Sequence, residues 1–269
     1  MRCACGVVWA EMKKQHRNYF HSKLIYISLF VWPALNFITA CFSMQVFDVG
    51  QSTVPYLTDQ NLVAYLMLGY LCMSFFRCLV QSAWRFSQER FSGTLELIYL
   101  SPANRGAILL GNALASLVEG TAVMVSFGAA VLLGHSQVLA GAFLPCAAAL
   151  SMACCMAVLW GVFLNALFLY SRDSDFVFTL LEEPMEIFSG VKVPVEVFPL
   201  WAKCAGALFP LTYALEGVRR AFLAGARMAQ LRPFLFAGAC IIILLYLLTA
   251  AALHIAERHG RRTGSFTLF

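Results

Sequence analysis

The sequence predicts an all-α, polytopic membrane protein on three observations. Of its 269 residues, 61% are hydrophobic and only 12% charged; mean hydropathy is +0.75; and the apolar residues gather in runs about as long as a bilayer is thick. Soluble domains are far less apolar and about twice as charged. A helix rises about 1.5 Å per residue, so crossing a hydrocarbon core of roughly 30 Å takes about 20 apolar residues. Six runs approach that length, at 24–44, 61–83, 107–133, 138–170, 176–189 and 233–253, the fifth being short. They make one membrane domain of 1–269.

Residues 1–23 carry Glu11, Lys13, Lys14, His16 and Arg17 ahead of the first run, too many charges for a secretory leader, so the chain is expected to start inside. Val8, Met12 and Tyr19 recur at near-helical spacing beside basic residues, which predicts an interfacial helix on the cytoplasmic leaflet. The 45–60 loop holds Asp48 and Asp59 but no Lys or Arg and reads as outside. Six crossings return the chain inside, where Arg258, Arg261 and Arg262 of the 255–269 tail satisfy the positive-inside rule. Lys192, Lys203, Arg219, Arg220, Arg227 and Arg232 oppose it, in a late connection where the rule is weakest. That connection, 190–232, holds Phe198, Leu200, Trp201, Leu208 and Phe209. It is too apolar for a hydrated loop and predicts an outer, re-entrant-type segment of short helices.

The formal charge of +5 comes from Lys and Arg lying mainly beside apolar runs, where they orient spans, so no nucleic-acid partner is expected. Most of the ten cysteines fall in those runs and read as small hydrophobes. Cys3-Ala-Cys5 has no nearby histidine partner, and no metal site is expected. No G-x-x-x-x-G-K-[ST] occurs in the chain. Neither catalytic residues nor a cofactor bound by this chain are therefore expected.

Two segments carry sharper signals. Between the second and third runs, 84–106 contains Glu89-Arg90-x-x-Gly93-Thr94-Leu95-Glu96-Leu97, then Ser101-Pro102. Ser92 or Thr94 could cap a short apolar helix that Pro102 ends at Ser101. Such a helix either lies on the membrane or inserts into a groove of a cytoplasmic partner. Before the last run stands Pro210-Leu-Thr-Tyr213-Ala-Leu-Glu216-Gly-Val-Arg219. Together, at this spacing, the two blocks closely resemble those of type-2 ABC exporter permeases.

The resemblance implies that 84–106 is a coupling helix docking on a separate ATPase subunit, which would use the ATP and Mg. It implies a second permease, identical or homologous, in the plasma membrane, with Pro210, Tyr213, Glu216 and Arg219 forming the outer-segment motif. It does not specify the transported substrate.

The remaining candidates are ionisable groups in apolar surroundings. Glu182, Glu183 and Glu186 surround Pro184 in the fifth run, and charges in a bilayer are costly enough to mark gates or pathways. A structural bend beside water explains them equally well. Glu216 precedes Arg219 and Arg220 by three and four residues, the order that favours a same-helix ion pair, and Glu119 is a candidate partner for Arg77. Buried carboxylates also suit a proton-coupled secondary transporter. Adjacent Glu182-Glu183 resembles the glutamates of prenyl-type membrane proteases, whose arginine position is here Ile187.

Overall fold

A computed structural model describes residues 4–19, 27, 31–32, 34–39, 42, 61–94, 98, 101–134, 143–170 and 174–263. All regular structure among them is helical. The order is α1 Ala4–Tyr19, α2 Leu62–Phe91, α3 Arg105–Gly134, α4 Phe143–Tyr170, α5 Ser174–Phe188, a 3-10 turn Val195–Val197, α6 Leu200–Gly206, α7 Pro210–Phe222 and α8 Met228–Thr263.

Four of these helices, α2, α3, α4 and α8, are long and apolar enough to cross a membrane. Most of the expected first span lies outside the described residues, although 34–39 are helical. The fifth run forms α5, whose 15 residues reach only about 22 Å at 1.5 Å each, less than a hydrocarbon core. The fourth expected span begins at Phe143 among the described residues, and α8 runs well past its expected end through the basic residues 258–262.

The core lies where α2 packs between α3 and α4, with Tyr65, Phe75, Phe76, Leu79 and Phe86 from α2 almost fully buried. Its centre is polar. Asn112 Nδ2 donates to Asn165 Oδ1 at 2.7 Å and to the Ser82 carbonyl at 2.9 Å, while Asn165 Nδ2 donates to the Gly161 carbonyl at 2.8 Å. Both amides are thus satisfied where water is absent, which ties α2, α3 and α4 in one register. By contrast, only 17% of the most apolar stretch of α8 is buried. Phe236, Ile243, Tyr246 and Leu247 face outward, a surface that hydrocarbon covers and water would not.

α1 lies against α3. The contact is close because residue 111 is glycine: a Cβ there would sit 2.8 Å from Glu11 Cβ and 2.9 Å from the Val8 carbonyl. Gly111→Val is therefore expected to lift α1 away, at a cost of about 1–3 kcal/mol. Trypsin should then cleave after Lys14 many times faster than in the parent, and an unchanged cleavage rate would count against this packing.

The 190–232 connection folds as the 3-10 turn, α6 and α7, with α7 laid against the long helices α2, α4 and α8 and α6 against α5. Gly206 admits the Phe188 carbonyl where a Cβ would clash at 2.5 Å, joining α6 to the end of α5.

Candidate functional site

At one end of the bundle α2 continues without a break through Trp84–Phe91, so the first third of 84–106 belongs to the long helix. It ends at Gly93, whose φ of +69° is a conformation glycine alone adopts cheaply. Among the described residues, Ser92 and Thr94 turn back on α2, and the helix they were expected to cap falls mostly outside those residues. Ser92 Oγ donates to the Gln88 carbonyl at 3.1 Å, and the Thr94 hydroxyl lies within donor reach of the Glu89 carbonyl, at 3.2 Å, and of the Glu89 carboxylate.

Glu89 is buried and is also held from α1, since Lys14 Nζ is 2.9 Å from Glu89 and 2.8 Å from Glu11. Gln15 donates to Glu11 at 2.8 Å. Burial pulls the Lys14 pKa down, but the two carboxylates outweigh it, so the ammonium is held above its ordinary value and stays charged. The root of the segment is fixed by this cluster. Its described flanks, Ser92, Gly93, Ser101 and Pro102, are exposed. Asn104 Oδ1 then accepts the Ala107 N–H at 3.3 Å, and α3 starts.

From the middle of α2 toward its Gly93 end, charged groups pair in two directions. Arg85 donates to Glu119 of α3 at 2.7 Å and to Ser116 Oγ at 3.2 Å. Arg77 instead pairs with Glu182 of α5. The expected Arg77–Glu119 pair does not form, because eight residues at about 100° each put Arg77 and Arg85 about 80° apart around the helix, facing different neighbours. One turn beyond Glu182, Glu186 pairs with Lys192 at 2.8 Å. Burial lowers the Lys192 pKa, but Glu186, with Tyr70 beside it, raises it more. Glu183 points the other way and is exposed, on one face with Leu180 and Ile187.

At the far end, Arg219 of α7 is 3% exposed. Nη1 donates to the Gly190 carbonyl at 2.7 Å and to Tyr65 Oη at 2.8 Å, and Nη2 to the Val191 carbonyl at 2.8 Å. The guanidinium also stacks 3.4 Å from the Tyr65 ring centroid. Gly69 makes room for it, since a Cβ there would lie 2.5 Å from the Val191 carbonyl oxygen and 2.7 Å from Arg219 Nη2. Glu216 pairs with Arg220, four residues on. Leu211, Leu215 and Arg219 follow one another at four-residue steps along the buried face, while Glu216 and Arg220 share the next.

A family model described as ABC-2 type transporter matches residues 6–223. The chain belongs to the ABC-2 type transporter family. No protein with a curated description matches it. The match runs from α1 to the end of α7, so it takes in the Glu89–Gly93 turn, both mid-helix ion pairs and the Arg219 cluster. As a member of this family the chain is a membrane component of an ABC transporter, and the family implies association with an ABC ATPase subunit.

Within this ABC-2 fold the residues singled out from sequence divide into three groups. Glu89, Gly93 and Thr94 come together in one turn. Ser101 closes its own bend by donating to the Ile98 carbonyl at 2.7 Å, next to exposed Pro102. Leu95, Glu96 and Leu97 lie outside the described residues, and Arg90 is described only as part of α2. Glu182 and Glu186 lie along α5 toward α2 and the Lys192 turn, separate from exposed Glu183, and half-buried Pro184 stands between them in the helix. In the outer motif Pro210 starts α7, Tyr213 Oη donates to the Ala207 carbonyl at 3.1 Å, and Glu216 and Arg219 serve different neighbours.

Lys14, Tyr65 and Gly69 carry as much of these clusters as the motif residues do. Nothing in their local sequence marks them, because each acts through a helix distant in the chain.

Proposed function

We propose that the chain is the permease subunit of an ATP-driven exporter in the plasma membrane, coupled through 84–106 to a separate ATPase that uses the ATP and Mg. The observation that carries this reading is the turn at the end of α2. Its root, Glu89, is clamped between α1 and Thr94, while its flanks project into the open. A segment rigid at its base and exposed beyond it can transmit a partner's movement into the helix that carries Arg77 and Arg85. In this reading the chain makes six crossings, with 1–23 and 255–269 cytoplasmic and 190–232 the outer re-entrant segment.

A second permease, a copy or a homologue, is proposed on the face formed by α2 and α5. Arg77, Gln81 and Trp84 of α2 and Leu180, Glu183 and Ile187 of α5 are partly or fully exposed there. Ionisable groups in mid-membrane face partners or water-filled paths and avoid lipid. Two such faces together would enclose a path with few polar anchors, in which Glu182, Glu183, Pro184 and Glu186 are the gate or pathway residues. Arg77 already neutralises Glu182, which suits a fixed element of that path better than a proton carrier.

The test is recovery of the ATPase. A tagged chain purified in mild detergent from its native cells should bring down a Walker-motif ATPase in stoichiometric amount. Gly93→Pro cannot adopt the positive φ, and Glu96→Arg reverses a charge in the segment; each should lower recovery at least about tenfold while membrane insertion is unchanged. Recovery equal to the parent in both variants would remove the coupling assignment.

A further inference from the structure

A cavity of about 280 Å³ opens at the end of the bundle opposite the Gly93 turn, walled by α2, the 3-10 turn, α7 and α8. Tyr65, Ser189, Glu196, Tyr213, Arg220 and Phe234 supply its chemistry, with Glu216 beside Arg220. Its volume falls just under the roughly 300 Å³ at which pockets for whole drug-sized ligands begin. It suits one compact polar group.

Three features of its lining point to the same ligand. Ser189 is 1% exposed, and its hydroxyl has no hydrogen-bond partner. Buried hydroxyls are ordinarily satisfied, and this one, on a residue that lines the cavity, has a donor to spare. Glu196 is exposed on the 3-10 turn and forms no ion pair with a described residue. With the Tyr213 ring also in the lining it offers what an ammonium group seeks, a carboxylate and an aromatic ring. The Arg220 guanidinium is held 4.1 Å from the Phe234 ring centroid, with Glu216 fixing its other side. A guanidinium held over a ring in this way keeps its two Nη groups to match a phosphate.

Both signs of charge in one small cavity favour a zwitterion over an anion or a neutral ligand. The surroundings favour a lipid over a solute, because the α8 wall continues from Phe234 and Ala237 into the exposed apolar face of Phe236 and Ile243. We propose that this cavity binds the headgroup of a zwitterionic aminophospholipid, its phosphate on Arg220, its ammonium on Glu196 and the Ser189 hydroxyl as a further donor, with the acyl chains lying along α8.

Native mass spectrometry of the full chain, released from detergent, tests this with dioctanoyl phosphatidylethanolamine, dioctanoyl phosphatidylglycerol and free phosphoethanolamine. One equivalent of the ethanolamine lipid should bind at least about tenfold more tightly than the glycerol lipid, the worth of one charge-assisted contact. Glu196→Gln should abolish that preference while leaving the thermal midpoint and the binding of the glycerol lipid unchanged. Ser189→Ala should weaken both lipids. Equal binding of the two lipids, or an unchanged preference in Glu196→Gln, overturns the site. Free phosphoethanolamine binding as tightly as its lipid overturns the lipid assignment. The measurement needs no ATPase, so it stands apart from the transport reading.

Discussion

Arg219→Met is expected to cost more than about 3 kcal/mol of stability, and the neighbouring Arg220→Ala less than about 1 kcal/mol. The two arginines are adjacent on α7 and carry the same charge, so the contrast rests on surroundings alone. Arg219 satisfies the carbonyls of Gly190 and Val191 and the Tyr65 hydroxyl, all in the bundle interior. Removing it strands buried acceptors, each a penalty of about 1–3 kcal/mol when left unpaired. Arg220 pairs with Glu216 at a partly exposed rim, where solvent already serves both groups.

Arg219→Lys should fare little better than Met. An ammonium cannot divide its donors between two backbone carbonyls and a phenol in the geometry of a fork, nor stack on Tyr65. The check is the thermal midpoint of the purified chain in detergent, together with its yield in membranes. A fall of similar size for Arg219→Met and Arg220→Ala would contradict the division of roles.

That contrast also shows what the sequence discloses and what it withholds. Apolar runs of bilayer length announce α2, α3, α4 and α8, because a hydrocarbon solvent demands both length and composition. The short helices of 190–232 are legible for a similar reason, since Phe198, Trp201 and Phe209 are too apolar to hydrate. Partners are harder. Glu216 stands at helical spacing from both Arg219 and Arg220, so sequence spacing alone admits either pair. The four-residue step from Leu211 through Leu215 puts Arg219 on the apolar stripe of α7, a signal present in the sequence and easily passed over in favour of the charge pair.

The Arg77 pairing is different in kind. Its choice of Glu182 over Glu119 follows from the rotation of α2 between α3 and α5, which only packing fixes. The Lys14–Glu89 contact likewise joins residues far apart in the chain, one of them on a helix whose sequence reads as an interfacial anchor. Its counterpart on α3, Gly111, becomes informative only once α1 is known to lie there.

Exchanging the two charges of the α2–α5 pair should separate structure from transport. Glu182→Gln leaves Arg77 facing a neutral amide near the middle of a membrane helix, and transport is expected to fall on the order of tenfold or more, the range of coupling energies between linked elements. Arg77→Gln should do the same and also lower the thermal midpoint, because it leaves the more deeply buried Glu182 carboxylate without its cation. The exchange Arg77→Glu with Glu182→Arg restores attraction between the helices, so stability should return most of the way to the parent. Transport should not return with it. If the pair lines the path between two permeases, cargo and the second subunit meet Arg77, which is about a third exposed, rather than Glu182, which is almost fully covered. Reversal would then present the opposite charge to whatever passes. Were the exchange to recover transport together with stability, the pair would be a tie between α2 and α5 and nothing more, and exposed Glu183 would become the residue of that region to test next.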